Sequence, residues 1–349
     1  MNFSKYRNKL SRWLSAACFA ALGAAAMSSC SDAIYDDLDP CRIGVELRFV
    51  YDYNMEWANA FPAKVDCVTL YIYDADGRYL AQRSETSEAL RDENYRMILD
   101  LPQGSYRMVA YGGTTCDNHS FSLVNKPDQG SLITDLRVAM DDWCINSSRE
   151  SSKSLHPLFW GTLDVTVSGD DYTQATLPMM KDTNNLRILL QHVSGKPVDN
   201  RDFDFKVTDD NTLLGHDNAP LPDGGITYRP WTRGQAVAGT NTDGSNVEVA
   251  YAELSMSRLV TQNAPRLVIT RHADGGEVVN IPLINYLLLL KSDLYAKMPA
   301  QEFLDRESEW SMLFFLTGGD NDGNGATWLK THIVVNDWIV RLNDIDMTE

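Results

Sequence analysis

The chain is 349 residues long and carries 48 acidic against 31 basic side chains, a formal net charge of −17 at pH 7. That balance excludes polyanionic partners, because nucleic acid and anionic lipid require a basic stripe that this sequence lacks. With 44% hydrophobic residues the chain can still build real cores, so the acidity belongs to a solvated surface.

At the N-terminus, Lys5, Arg7, Lys9 and Arg12 precede any acidic residue. An alanine-rich apolar run follows from Trp13 to Met27. It is shorter than the about 20 apolar residues a membrane helix needs. A basic start, a short apolar middle and a small-residue end make a secretory signal. The run closes on Met27-Ser28-Ser29-Cys30, which resembles the bacterial lipobox, although that pattern prefers Leu where Met27 stands. The resemblance implies that residues 1–29 are a signal peptide and that Cys30 carries lipid. Ser31, Asp32, Asp36, Asp37 and Asp39 lie in an acidic tether over 30–41, which resembles the export signal of surface lipoproteins in Bacteroidota. Ser31 stands where an Asp can retain lipoproteins in the inner membrane. Each buried acyl methylene contributes about 0.8 kcal/mol, so the lipid chains of a mature lipoprotein hold firmly. The expected address is the outer membrane, lipid-anchored and surface-exposed.

Without the signal, 320 residues remain with 27 basic and 48 acidic side chains, a charge of −21. That length suits about two domains. Cys41, Cys67, Cys116 and Cys144 remain beside the lipidated Cys30, all in the N-terminal half. Outside the cytoplasm these four are disulfide candidates, with three possible connectivities. None forms a CxxC pair, so zinc is not expected.

Beyond the tether the dominant period is two. Val45, Leu47, Phe49 and Tyr51 alternate with Glu46, Arg48 and Asp52, the pattern of a half-buried strand. Strands are expected at 65–73, ending in the turn Asp74-Ala75-Asp76-Gly77, and at 95–101. Pro102-Gln103-Gly104 before Ser105–Tyr111 signals a hairpin. A further strand is expected at 164–167, after Leu158-Phe159-Trp160-Gly161. In the second half, strands are expected at 185–193, 202–207, 247–254, 266–272, 278–283, 328–335 and 337–342. Only two stretches read as helical: a short turn at Leu136–Trp143, and Pro299–Arg306 with Pro near its start. Many short strands with little helix predict an all-β chain of two tandem β-sandwich domains. Their expected ranges are 42–180 and 181–349.

Catalytic signatures are missing: the sequence has no GxSxG, HExxH, GxxxxGK[ST] or dinucleotide fingerprint. His119, His156, His192, His216, His272 and His332 are scattered, with none spaced as a metal pair. Carboxylates are so numerous that chance pairs carry no weight. Asp320-Asn321-Asp322-Gly323-Asn324-Gly325 matches the opening of a calcium loop, but Thr331 stands where the bidentate Glu belongs. A hairpin from Phe315 to Trp328 explains it as well, and no metal or cofactor is expected. Trp160, Trp328 and Trp338 are expected in the core. Trp57, Trp143, Trp231 and Trp310 have no clear place, and an exposed pair could stack on sugar rings.

Several motifs resemble one family. Val65-Asp66-Cys67-Val68-Thr69-Leu70-Tyr71-Ile72-Tyr73-Asp74-Ala75-Asp76-Gly77 resembles the early strand and turn of the Bacteroidales fimbrillin-A-associated anchor proteins. Leu101-Pro102-Gln103-Gly104-Ser105-Tyr106-Arg107-Met108-Val109-Ala110-Tyr111-Gly112-Gly113 is similar to that family's next hairpin, with Tyr111 in place of the usual Trp. Phe303-Leu304-Asp305-Arg306 and Val335-Asn336-Asp337-Trp338-Ile339-Val340 resemble its late helix and last strand. The resemblance implies transthyretin-like sandwiches and a non-enzymatic lipoprotein at the fimbrium base. It also implies a partner, the first pilin subunit, bound by strand exchange. Two further features suit a base: only seven residues follow Leu342, and 31–41 contain no Lys or Arg for a maturation protease. The alternative expectation is a surface glycan-binding lipoprotein of a polysaccharide-uptake system.

Overall fold

The computed structural model describes residues 43–169, 171–240, 244, 246–317, 327–335 and 338–341. Cys30, Cys41, the acidic tether and the Asp320–Gly325 loop lie outside the described residues.

The period-two pattern becomes strand after strand. The first are β1 (Gly44–Val50), β2 (Val68–Asp74), β3 (Tyr79–Glu85), β4 (Met97–Asp100) and β5 (Gly104–Gly112). There follow β6 (Phe121–Leu123), β7 (Val138–Met140), β8 (Glu150–Ser151), β9 (Phe159–Val167), β10 (Tyr172–Pro178) and β11 (Met180–Lys181). A one-turn helix, α1 (Phe61–Lys64), follows β1. β1 lies between β10, which runs parallel to it, and antiparallel β4. The order β11-β9-β5-β2-β3 makes a second, five-stranded sheet. Between them lies a core of Val45, Leu47, Phe49, Leu70, Ile72 and Met108. β2 is buried on both faces: Leu70 and Ile72 enter this core, while Tyr71 and Tyr73 join Val109 and Tyr111 in another. A strand covered on both sides needs no polar alternation, hence the apolar run Val68–Tyr73.

The second set comprises β12 (Asn184–His192), β13 (Phe203–Asp209), β14 (Leu213–Leu214), β15 (Pro220–Leu221), β16 (Ile226–Tyr228) and β17 (Thr232–Thr240). It continues with β18 (Asn246–Met256), β19 (Arg266–Arg271) and β20 (Glu277–Pro282). Helices α2 (Leu283–Leu288) and α3 (Ala300–Arg306) precede β21 (Glu309–Thr317), β22 (Thr327–Val335) and β23 (Trp338–Arg341). A six-stranded sheet has the order β17-β18-β12-β21-β22-β23, a five-stranded one β20-β19-β13-β16-β8, and a four-stranded one β15-β14-β7-β6. β8, which comes early in the chain, therefore completes a sheet built from later strands, and early β6 and β7 share a sheet with later β14 and β15. One cluster unites them, running from Tyr71 and Phe121 through Leu186 and Phe205 to Phe314. The all-β architecture expected from the sequence is the one the chain adopts.

The differences are local. Pro102-Gln103-Gly104 makes no hairpin: β4 pairs with β1, whereas β5 pairs with β2 and β9. The segment is an arch between two sheets, and the Tyr106 hydroxyl donates to the Pro102 carbonyl at 2.8 Å across it. Leu136–Trp143, expected as a helical turn, is β7 followed by a 3-10 turn at Asp142–Cys144. Val138 and Met140 alternate into the core, and so short an apolar run has no period to separate helix from strand.

Cys67 and Cys116 form a disulfide with a Cα–Cα distance of 5.4 Å. Their sequence separation is 49 residues. A loop of that length is constrained by about 4 kcal/mol in the chain-entropy account. Cys144, the other disulfide candidate among the described residues, is a free, buried thiol. The turn that carries it takes the sulfur inward, where it donates to the Ser120 carbonyl at 3.8 Å. Burial pushes its pKa up to about 11.

Candidate functional site

Strand pairing with a partner requires an open sheet edge, and edges differ in how they are guarded. β3 carries Arg83 and Glu85, β10 ends at Pro178, and β20 opens on Glu277 and ends at Pro282. β17 is different. From Gly234 to Thr240 it has no charged residue, and Gln235–Thr240 are exposed, with Val237 at 58%. Its inner side pairs with β18, interrupted by one bulge between Val237 and Gly239. At its start, Arg233 Nη1 and Gln235 Nε2 donate to the carbonyls of Phe203 and Val198, both at 3.2 Å, leaving the stretch beyond as the open edge.

A second feature ties the early loop to the late helix. The guanidinium of Arg306, the last residue of α3, stacks 4.0 Å from the Tyr53 ring centroid and 3.8 Å from that of Trp57. It also donates to the Asp52 and Asn54 carbonyls at 3.4 Å and, through Nε, to Glu302 at 2.8 Å. The loop is braced from within: Asn54 Nδ2 donates to the carbonyls of Tyr51 and Ala58 at 3.0 and 2.8 Å. Trp57 is held at φ 54°, a left-handed conformation that costs a non-glycine residue about 1–2 kcal/mol.

Beside this clasp lies a buried polar chain. Arg258 makes a bidentate pair with Asp305, both contacts at 2.9 Å, and Gln301 Nε2 donates to the same carboxylate at 2.9 Å. Arg258 also donates to the Asn218 carbonyl, and Asn218 Nδ2 donates to Asp182 at 2.7 Å. Asp182 is completely buried, and its second oxygen has no partner among the described residues. Burial raises its pKa to about 7, with Arg258, 4.0 Å away, opposing the rise. No sequence motif marked Arg258 or Asp182, and the motif that ends in Arg306 gave no sign of its partners, because those partners are far away along the chain.

The tryptophans divide between core and surface. Trp310 is buried, its indole donating to Asn184 at 3.0 Å, and half-buried Trp160 donates to the His216 carbonyl at 3.1 Å. Trp57, Trp143 and Trp231 are 58, 50 and 41% exposed. Among the histidines, His119 lies 3.7 Å from Asp141, His272 lies 3.4 Å from Asp204, and His192 is buried against Ser194. Among the described residues no three His, Cys, Asp or Glu side chains converge to hold a metal. No described helix is long and apolar enough to cross a membrane.

The family model of the fimbrillin-A associated anchor proteins Mfa1 and Mfa2 matches residues 38–344. The chain belongs to this family. It is thus a fimbria-associated, cell-surface protein of a structural family. A candidate adhesin from Bacteroides thetaiotaomicron is 53% identical, with a TM-score of 0.81 over 88% of this chain and 100% of the other. A candidate polysaccharide-binding protein from the same organism is 32% identical, with a TM-score of 0.72 over 87% and 99%. The fimbrial anchor protein Mfa2 of Porphyromonas gingivalis shares the fold at 14% identity, with a TM-score of 0.65 over 86% and 99%. No curated protein matches significantly. The motifs that carried the family resemblance fall on β2 and its turn, on the arch and β5, on the end of α3, and around β22 and β23.

Proposed function

We propose that this protein fixes a fimbria to the outer membrane, held by lipid on Cys30 and binding the first pilin subunit by strand addition. Residues 42–180 and 181–349 serve as its two sandwich domains behind the 30–41 tether. Family membership supports the fimbrial role, and the observation that carries the binding step is the unguarded edge of β17. A pilin segment laid along Gln235–Thr240 meets a sheet edge that no described strand occupies, and no side-chain charge. Main-chain hydrogen bonds then provide adhesion, and alternate side chains select the partner.

Replacing Cys30 with Ala in the native cell tests the anchor. Fimbriae shed into the medium with this protein at one end are expected; unchanged surface fimbriae, counted by electron microscopy, overturn the anchoring role. The binding step is tested separately with Ala236→Pro and Val237→Pro, since adjacent strand residues present their N–H groups to opposite edges. One of the pair is expected to abolish pilin binding while leaving the β17–β18 ladder folded. Full binding by both rejects β17 as the docking edge.

A further inference from the structure

The solvent face of the six-stranded sheet holds a cleft of about 250 Å³ that strand addition does not use. Asn185 and Arg187, two apart on β12, share that face, as alternate residues of a strand do. The register sets Glu253 of β18 opposite Arg187, and Glu309 and Ser311 of β21 opposite Asn185 and Arg187. Trp231 closes one side, placed there by its backbone N–H, which donates to the Glu253 carbonyl at 3.0 Å. The cleft therefore has one aromatic wall and a floor of hydrogen-bonding side chains.

The floor is already organised. Arg187 Nε donates to Glu253 at 2.8 Å, and Asn185 Nδ2 donates to both oxygens of Glu309 at 3.0 Å. Lys181 Nζ, 3.0 Å from Glu309, completes a second ion pair. The two carboxylates and two cations leave no net charge, and each keeps donor or acceptor capacity beyond its present partner. Side chains held in place lose little entropy when a ligand arrives. Cross-strand ion pairs alone would make an ordinary solvated sheet face. They do not account for a tryptophan left 41% exposed beside them.

The geometry points to a neutral sugar ring as the ligand. A pyranose has an apolar face to lay on the indole and a rim of hydroxyls that both donate and accept. Those hydroxyls can donate to Glu253 and Glu309 and accept from Asn185 and Arg187. The competing ligand classes fit poorly. An anionic group would meet two carboxylates, while both cations are already neutralised. A purely apolar ligand would leave the polar floor desolvated and unpaired. An added peptide strand finds no edge, because β12 and β21 are interior strands with their backbones paired on both sides.

The test uses the full mature chain, titrated with maltoheptaose, xylohexaose and yeast mannan, with polygalacturonate as the anionic comparison. Tryptophan fluorescence and calorimetry report binding. At least one neutral glycan is expected to bind, and Trp231→Ala should weaken it by about tenfold or more. Trp231→Phe should retain most of the affinity, Trp57→Ala should leave it unchanged, and circular dichroism confirms that each variant is folded. Absence of binding by all three neutral glycans, binding indifferent to Trp231→Ala, or preference for polygalacturonate each overturns the assignment.

Discussion

The guanidinium carbon of Arg306 lies over the Trp57 ring, 3.8 Å from its centroid, so the end of α3 holds the loop that follows β1. The same carbon lies 4.0 Å from the centroid of the Tyr53 ring. Each such contact contributes about 0.5–2 kcal/mol when desolvated. Arg306→Ala is therefore expected to cost about 1–4 kcal/mol in denaturant unfolding. Amides of residues 52–60 should exchange faster while those of β12 hold. Arg306→Lys keeps the charge but not the planar stack, and should recover only part of the loss. Unchanged exchange in the loop would refute the clasp.

Trp57 itself offers a finer comparison. Its backbone stands at φ 54°, which glycine adopts freely. Removing the indole should cost stability in both Trp57→Ala and Trp57→Gly. The glycine variant is nonetheless expected to be the more stable of the two, by about 0.5–1 kcal/mol, because it relieves the backbone. An alanine variant as stable as the glycine one would show that the loop relaxes elsewhere.

Asp182 should make stability depend on pH in an unusual direction. Its folded pKa is raised from 3.8 to about 7 by burial. Between those values the folded protein holds a proton that the unfolded chain has released. The stability this gives is full below the ordinary carboxylate pKa and is lost as pH rises to about 7. Asp182→Asn keeps the acceptor for Asn218 and removes the titration. Relative to that variant, the wild type should lose on the order of a few kcal/mol between about pH 4 and about pH 7. Parallel unfolding midpoints for both proteins across that window would sink the assignment.

The two kinds of cysteine should behave differently. Replacing Cys67 and Cys116 together with Ala is expected to cost about 2–4 kcal/mol. Cys144 should stay unreactive toward a thiol reagent until the protein unfolds, since only the thiolate attacks and burial disfavours it. Rapid labelling of the native protein at Cys144 would contradict the buried placement.

Gly44 is a tight point in the first sheet. A Cβ built there would lie 1.8 Å from the Leu99 carbonyl oxygen, a backbone atom that cannot swing aside. Gly44→Ala should therefore force β1 away from β4 and cost about 2–4 kcal/mol in chemical unfolding. A loss below about 0.5 kcal/mol would mean that the start of β1 can shift freely.

The strands that were legible in the sequence are those with a face of their own. Val45, Leu47 and Phe49 alternate because one side of β1 meets a core, and Pro299 marks the start of α3. β3, β10 and β17 have no such signature: β3 and β17 are largely exposed, β10 is partly exposed, and all three exist because a neighbour offers them a ladder. The candidate sites were less legible still. Arg306 meets Asp52 across 254 positions, and the cleft beside Trp231 draws its lining from three separate strands. Such groupings are products of register and packing, which a local pattern does not encode.

The placement of β1 also governs how the molecule would carry load. It is the first described strand, flanked on both sides, and parallel to β10 over all seven of its residues. A pull from an N-terminal tether along the strand axis would strain the hydrogen bonds to β10 and β4 together, in shear. Peeling, which opens such bonds singly, would need a force across the sheet. In the proposed anchoring role, a fimbria dragged by flow would thus be resisted by the whole width of the first sheet at once.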